Sequence, residues 1–260
     1  MHEVRPKKFL GQHFLKDQNI AQKIVNSLSI ADKNESIIEI GPGTGILTNI
    51  LIKKTFKQLL LIELDRDSIA YLNQNVQNEH VKIIEGDFLK IQIEKYCKGQ
   101  CLVIGNFPYN ISSQIFFKIL DQRQQVKEVV CMIQKEVAER ICAPHGNKTY
   151  GILSVLIGAY YHTEMLFKVP PGVFIPPPKV TSAVIKLIRK DQISLSCDDA
   201  LFKKIVKQGF QNRRKTLRNA LKPIFLPLEL TKDKVFDKRA EQLSIEDFIE
   251  LTNTIQLWKK

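Results

Sequence analysis

Four residues, Asn106-Phe107-Pro108-Tyr109, follow the apolar run Cys101–Gly105 and have the makings of a clasp for an amine. An exocyclic amine on an aromatic base is a poor nucleophile, because its lone pair is delocalised into the ring. If the Asn106 side-chain carbonyl and a backbone carbonyl of Phe107-Pro108 each accept one N–H, the nitrogen pyramidalises and its lone pair points outward at an electrophile. Pro108 has no N–H and a fixed φ, which holds that carbonyl turned inward. Tyr109 adds a flat face on which an extruded base can stack. A matched general base is not needed, since the proton becomes acidic once the nitrogen carries the transferred group.

Three earlier segments end in residues suited to a cofactor. Ser36–Ile40 runs into Gly41-Pro42-Gly43-Thr44-Gly45, a turn in which glycines allow close approach of a ligand to the main chain at a helix N-terminus. A dinucleotide fingerprint places its third glycine one residue later, where this chain has Ile46, so the spacing argues against NAD. Gln58–Glu63 then places Glu63 where a carboxylate takes both ribose hydroxyls, while Asp65 suits the cap of the helix that follows. Val81–Glu85 leads to Asp87, which can accept from the amino group of an adenine. Gly-turn, Glu and Asp at successive strand ends describe an adenosine-bearing cofactor. The amine clasp at the fourth end favours S-adenosylmethionine, and with it methyl transfer.

The elements that must position these residues follow from hydrophobic patterning. Short β-branched runs alternate with helical patterns, which predicts βα units and a largely parallel sheet. Seven strands are expected: the four above, Glu128–Ile133, Thr163–Val169 and Thr181–Ile188. The last two are joined by a loop, so the final strand should run antiparallel to its neighbours. That loop, Pro170 to Pro178, holds five of the eleven prolines and displays Phe174 on a stiffened backbone. Helices are expected over Ile46–Lys54, from Asp65 to Val76, and over Asp199–Phe210, Arg213–Ile224 and Ser244–Trp258, with Ser244 and Asp247 as a cap. The reading is a catalytic domain over 1–190, with a basic arm and first helix in 1–28, and a small all-α domain over 191–260.

The chain has 260 residues with a formal charge of +12. Lys203, Lys204, Lys207, Arg213, Arg214, Lys215, Arg218 and Lys222 place eight cations in 20 residues without an acid. Arg5, Lys7, Lys8 and Lys16 form a second cluster near the N-terminus. Such patches suit a polyanion whose phosphates release counterions on binding. The apolar residues Phe202, Ile205, Val206 and Phe210 need burial, so that helix should pack inward and show its cations outward. Five scattered cysteines without a C-x-x-C pair, and five histidines without an i,i+4 pair, predict reduced thiols and no metal. The longest apolar stretch, Gly151 to Tyr161, is too short to span a membrane, and no signal-peptide core opens the chain, so a cytoplasmic location is expected.

Taken together, Lys8-Phe9-Leu10-Gly11-Gln12-His13-Phe14-Leu15, Glu39-Ile40-Gly41-Pro42-Gly43-Thr44-Gly45, Ile62-Glu63-Leu64-Asp65, Gly86-Asp87, Gly105-Asn106-Phe107-Pro108-Tyr109-Asn110, Phe174-Ile175-Pro176-Pro177-Pro178 and Phe210-Gln211-Asn212-Arg213-Arg214-Lys215-Thr216 resemble the KsgA family of ribosomal RNA adenine dimethyltransferases. The resemblance runs nearly end to end. It implies a Rossmann-like class I S-adenosylmethionine-dependent methyltransferase with a seven-stranded, mostly parallel sheet. Its implied substrate is a pair of adjacent adenosines near the 3′ end of small-subunit (16S) ribosomal RNA, in an immature 30S subunit; nothing in the sequence demands more than a monomer. His13, Leu15, Gly41, Gly43, Glu63, Asp87 and Asn106 would line the cofactor site. Asn106 to Tyr109 would hold the target adenine, with Phe174 stacked on its other face. Arg5, Lys7, Lys8, Lys203, Lys207, Arg213, Arg214, Lys215 and Arg218 would contact RNA. His13 stands where relatives often carry Asn, and Phe107 where Leu is common. Two rivals are a large-subunit dimethyltransferase of the antibiotic-resistance type and a non-catalytic ribosome-assembly or transcription factor on the same fold.

Overall fold

The computed structural model describes residues 4–30 and 34–258. It divides into two units, one of 1–138 with 163–189, the other of 139–162 with 190–260. A single cut near 189–198 therefore misplaces one segment: 139–162 belongs with the C-terminal helices. The reason is local packing, because Tyr160 donates its hydroxyl to Asp199 at 2.8 Å and Tyr150 meets Phe210 ring to ring at 5.9 Å.

In chain order the elements up to the last sheet strand are β1 (Phe14–Leu15), α1 (Gln18–Ser27), β2 (Ser36–Ile40), α2 (Thr48–Leu51), β3 (Gln58–Glu63), α3 (Arg66–Asn75), β4 (Val81–Glu85), β5 (Cys101–Asn106), α4 (Ser112–Asp121), β6 (Val126–Gln134), α5 (Lys135–Ile141), α6 (Ile152–Gly158), β7 (Tyr161–Val169), β8 (Phe174–Ile175) and β9 (Ser182–Arg189). Seven of the strands form one sheet in the order β4-β3-β2-β5-β6-β9-β7. The run from β4 to β6 is parallel, and β9 enters antiparallel to β6, with Met132 opposite Val184. Strand β2 is Ser-Ile-Ile-Glu-Ile and buried at all five positions, as expected of a parallel strand covered on both faces. The chain steps from β2 outward through β3 to β4, then returns to β5 on the other side of β2. Ligands in open α/β sheets gather at the carboxyl ends of the strands around such a reversal.

Two strands that the apolar pattern did not predict, β1 and β8, pair antiparallel with Leu15 opposite Phe174. This small sheet ties the N-terminal arm to the proline-rich loop. Helix α2 is shorter than Ile46–Lys54, since Gly43 and Gly45 both take positive φ (56° and 75°) and regular helix is reached only at Thr48.

The second unit is completed by α7 (Asp199–Gln211), α8 (Leu217–Ala220), α9 (Leu228–Thr231) and α10 (Ile245–Leu257). Helix α7 buries Phe202, Ile205, Val206 and Phe210, and the Phe210 ring packs against Phe248 of α10 at 5.9 Å. Asp198 caps α7 by accepting from Leu201 N at 2.6 Å. Ser244 and Asp247 form a reciprocal capping box at the start of α10. The helix expected over Arg213–Ile224 is broken: 212–216 is a turn, α8 lasts four residues, and Lys222–Ile224 is a separate 3-10 turn. Pro223 cannot continue a helix, and Leu217 N donates outward to Lys238 O at 2.8 Å. Among the described residues no helix is long and apolar enough to cross a membrane, and no cluster of His, Cys, Asp and Glu could hold a metal.

Candidate active site

The carboxyl ends of β2, β3, β4 and β5 meet the N-terminal arm around a cleft. Its wall includes His13, Gly41, Gly43, Glu63, Asp87 and Asn106 with Phe107, Pro108 and Tyr109. Residues from four strand ends thus meet at one cavity.

Glu63 is held by the main chain. Its Oε1 accepts from Leu64 N (2.8 Å) and Asp65 N (2.9 Å), and its Oε2 accepts from Gly43 N (3.0 Å). Burial pushes this carboxyl up, while the three N–H donors pull it back. Each carboxylate oxygen offers about two acceptor sites, so Oε2 retains capacity for a ligand hydroxyl. The Gly43 turn has no room for a side chain, because a Cβ there would sit 2.8 Å from the Phe14 ring. Gly105 is equally confined, with the Ile40 carbonyl oxygen 2.5 Å from where a Cβ would be. Beneath the turn, buried Glu39 accepts from the Thr48 hydroxyl at 2.7 Å, and burial, with nearby Glu63, pushes it up to about 8. Asp87 caps the turn after β4 by accepting from Leu89 N through Oδ1 (3.0 Å), leaving Oδ2 toward the cavity wall it lines.

At the end of β5, Asn106 donates Nδ2–H to the His13 carbonyl at 2.8 Å. That bond fixes the amide, so Oδ1 is the atom left to accept. The Pro108 carbonyl accepts from Ile111 N at 3.2 Å and keeps one lone pair, while Phe107 N donates to Met132 O at 3.0 Å, which fixes the backbone that carries the Phe107 carbonyl. The Phe107 ring is fully buried against Phe116. Tyr109 bonds to Ser182 through its hydroxyl and stacks on His13 with centroids 5.3 Å apart. His13 Nδ1 in turn lies 2.7 Å from the Pro176 carbonyl, so that nitrogen carries the proton.

Two expected site residues lie elsewhere. Leu15 and Phe174 are 4% and 1% exposed and sit in the hydrophobic core, neither on the cavity wall. Their mutual pairing in the β1–β8 ladder explains this: it buries both side chains and leaves Phe14 and His13 to face the cavity. The arm is also held by Lys7, whose ammonium pairs with Asp65 and lies 2.8 Å from Asp67, while Gln12 Nε2 donates to Asp65 at 3.1 Å. Gln12 and Phe14 stand in the motif at 8–15 without a mark of their own, because the two residues of Phe14–Leu15 are too few for a strand's alternation to show.

The sequence profile of the ribosomal RNA adenine dimethylase family matches residues 3–257. The chain belongs to that family. A ribosomal RNA small subunit methyltransferase A of Cytophaga hutchinsonii is 51% identical over 255 residues, covering 98% of this chain and 99% of the relative. The crystal structure of a dimethyladenosine transferase from Plasmodium falciparum superposes with a TM-score of 0.83 at 27% identity, over 95% of this chain and 98% of that one. The 23S rRNA methyltransferase ErmE shares the fold with a TM-score of 0.68 at 20% identity, over 92% of this chain and 99% of that one.

The nine expected RNA contacts differ in how far the fold commits them. Arg5, Lys8, Arg214 and Lys215 are exposed, and their side chains make no hydrogen bond or ion pair among the described residues. Lys7 is committed to Asp65 and Asp67. Arg213 donates to Lys148 O (2.6 Å) and Tyr150 O (2.9 Å) and pairs with Glu241 (3.1 Å), which makes it a staple within the second unit. Arg218 pairs with Asp237 at 2.6 Å on the surface, a contact weak enough to exchange for a phosphate. Lys203 and Lys207 line an open groove on α7.

Proposed function

We propose that this chain dimethylates N6 of two adjacent adenosines near the 3′ end of small-subunit ribosomal RNA, as a monomer acting on immature small subunits in the cytoplasm, with S-adenosylmethionine as donor. The residues of the cavity fit that donor: Glu63 offers a fixed carboxylate to a ribose, Asp87 an acceptor to an adenine amino group, and Gly41 and Gly43 a bare backbone. When bound, S-adenosylmethionine supplies an electrophilic methyl on sulfur.

The chain's own part is to present the amine. Asn106 Oδ1 and the Phe107 carbonyl each take one N–H of the target adenine, drawing the nitrogen out of conjugation. Tyr109, with His13 against one face of its ring, receives the base on the other. The amine sheds its proton after transfer, when it is acidic, so no residue need be tuned as a base. A second round requires that the clasp release one N–H and admit a methyl in its place. The open cations, Arg214 and Lys215 on the second unit and Arg5 and Lys8 on the arm, are suited to phosphates of structured RNA, while the pocket selects the base.

The observation that carries this reading is the Asn106 amide, turned by the His13 carbonyl so that its oxygen is the free acceptor at the cavity wall. The test is transfer of labelled methyl from S-adenosylmethionine to small subunits isolated without the dimethyl marks, read by mass spectrometry of both ribosomal RNAs. Two dimethyladenosines in the small-subunit RNA are expected. Label in the large-subunit RNA would replace this reading by the resistance-type activity, and retention of the protein on subunits without label by the assembly-factor one.

A further inference from the structure

The second unit displays an aromatic side chain that gains nothing from its own fold. Phe225 is 91% exposed, and with φ 56° and ψ 57° it is the one non-glycine residue at positive φ among the described residues. Left-handed backbone is disfavoured for any residue with a β-carbon, and here no burial offsets it. The conformation is nevertheless braced. Phe225 N closes the 3-10 turn on Lys222 O at 3.0 Å, Pro223 lies inside that turn, and Pro227 follows two residues later. Leu228, 81% exposed, extends the apolar tip.

Lys222 opens the turn that carries this tip, and Glu229 just beyond it is paired with Lys232. Gln208 of α7 donates to Ala220 O at 2.9 Å, which joins α7 to the chain just ahead of the turn. From there an open groove runs along α7, lined by Ala200, Lys203, Lys204, Lys207, Gln208 and Gln211, with three cations, two amides and no acid. Lysine is depleted at protein interfaces, whereas cations beside an exposed ring are the usual makeup of a surface that tracks a nucleic-acid backbone and stacks its bases.

We propose that Phe225 is a stacking platform for an unpaired base of the substrate RNA whose phosphates follow the α7 groove. This rests on the reading of the chain as a ribosomal RNA methyltransferase and adds to it a contact by a side chain outside the cofactor and adenine pocket. A ring carried on braced backbone has fewer positions to give up on stacking, and a ring tolerates any base, so the contact adds affinity without demanding sequence.

The test compares Phe225→Gly and Phe225→Trp with the wild type for binding to small subunits lacking the dimethyl marks and to the RNA deproteinised from them. Glycine suits left-handed backbone, so Phe225→Gly should melt at the same or a higher temperature, bind S-adenosylmethionine normally, and lose about tenfold in affinity for both RNA probes. Phe225→Trp should restore binding. Unchanged affinity in Phe225→Gly would overturn the proposal, as would a lowered melting temperature, which would make the ring structural. Weaker binding to subunits but not to free RNA would overturn it in favour of a protein partner. If the wild type itself transfers no methyl to these subunits, the underlying functional reading fails; normal wild-type transfer with unaltered Phe225→Gly binding removes the stacking contact alone.

Discussion

The cavity of the first unit and the basic segment of the second treat polar groups in opposite ways. At the cavity the three strand-end polar groups are fixed by main chain: Glu63 by three N–H donors, Asp87 by Leu89 N, Asn106 by the His13 carbonyl. In the segment from 213 to 218, by contrast, Arg213 is stapled into the fold while Arg214 and Lys215 stand open to solvent. Chemistry on a weak nucleophile depends on acceptors already in place, since reorganising them during reaction would cost rate. Attraction to a polyanion depends on net charge within a screening length and tolerates loosely held side chains. Neighbouring cations in sequence can therefore have unrelated work.

The largest expected effect is at the fixed end of this contrast. Asn106→Ala removes one of the two acceptors and should lower single-turnover methyl transfer by roughly 10²–10³, far more than the few-fold loss of S-adenosylmethionine affinity expected by calorimetry from the lost bond to the His13 carbonyl. Near-normal turnover would show that the fixed amide is not what activates the amine. Glu39 should give the next largest signal, this time in stability. Its folded-state pKa, about 8, lies above its unfolded value of 4.5, so the folded protein holds a proton that the unfolded chain has shed between those limits. Its contribution is complete below about pH 4.5 and is lost as pH rises through about 8. Chemical denaturation across that window should show wild-type stability falling relative to Glu39→Gln; parallel curves would mean that Glu39 is ionised throughout.

Most of the sheet was legible because short apolar runs buried on both faces leave few alternatives, as in Ser36–Ile40 and Gln58–Glu63, whose ends match the pattern to the residue. Glu63, Asp87 and Asn106 were legible for a related reason: a polar residue at the carboxyl end of such a run has few places to go but the cavity. What was not legible depends on long-range pairing. Leu15 and Phe174 come from short apolar and proline-rich stretches with no periodicity, and only their mutual ladder decides that they face the core. Arg213 looks like its neighbours in the sequence, and its partners at 148, 150 and 241 are far along the chain.

Substitutions within the pair Arg213 and Arg214 sharpen the comparison from the second unit's side. Arg213→Glu places an anion beside two carbonyls and Glu241, and should destabilise that unit by about 2–3 kcal/mol, read as a lowered melting temperature. Arg214→Glu should leave the melting temperature within a degree or so yet weaken binding to small subunits and reduce the salt dependence of the binding constant by about one counterion. A matching loss of stability in both variants would erase the distinction between staple and docking charge.

The smallest effect is expected at Lys7, which sits between the two kinds of group: a half-exposed cation in an ion pair that positions the arm. Burial alone would raise the Asp65 carboxyl, but the hydrogen bonds from Lys7 and Gln12 hold it below its ordinary value, so the contact persists at neutral pH. Because the arm contributes His13 and Phe14 to the cavity wall, Lys7→Ala should weaken S-adenosylmethionine binding only about two- to fivefold, the range of an exposed ion pair. The effect should shrink with added salt, which screens the wild-type pair and leaves the variant unaltered. If Lys7 instead contacts RNA directly, Lys7→Ala would leave cofactor affinity unchanged and lower the affinity for small subunits, placing it with Arg214 rather than with Arg213.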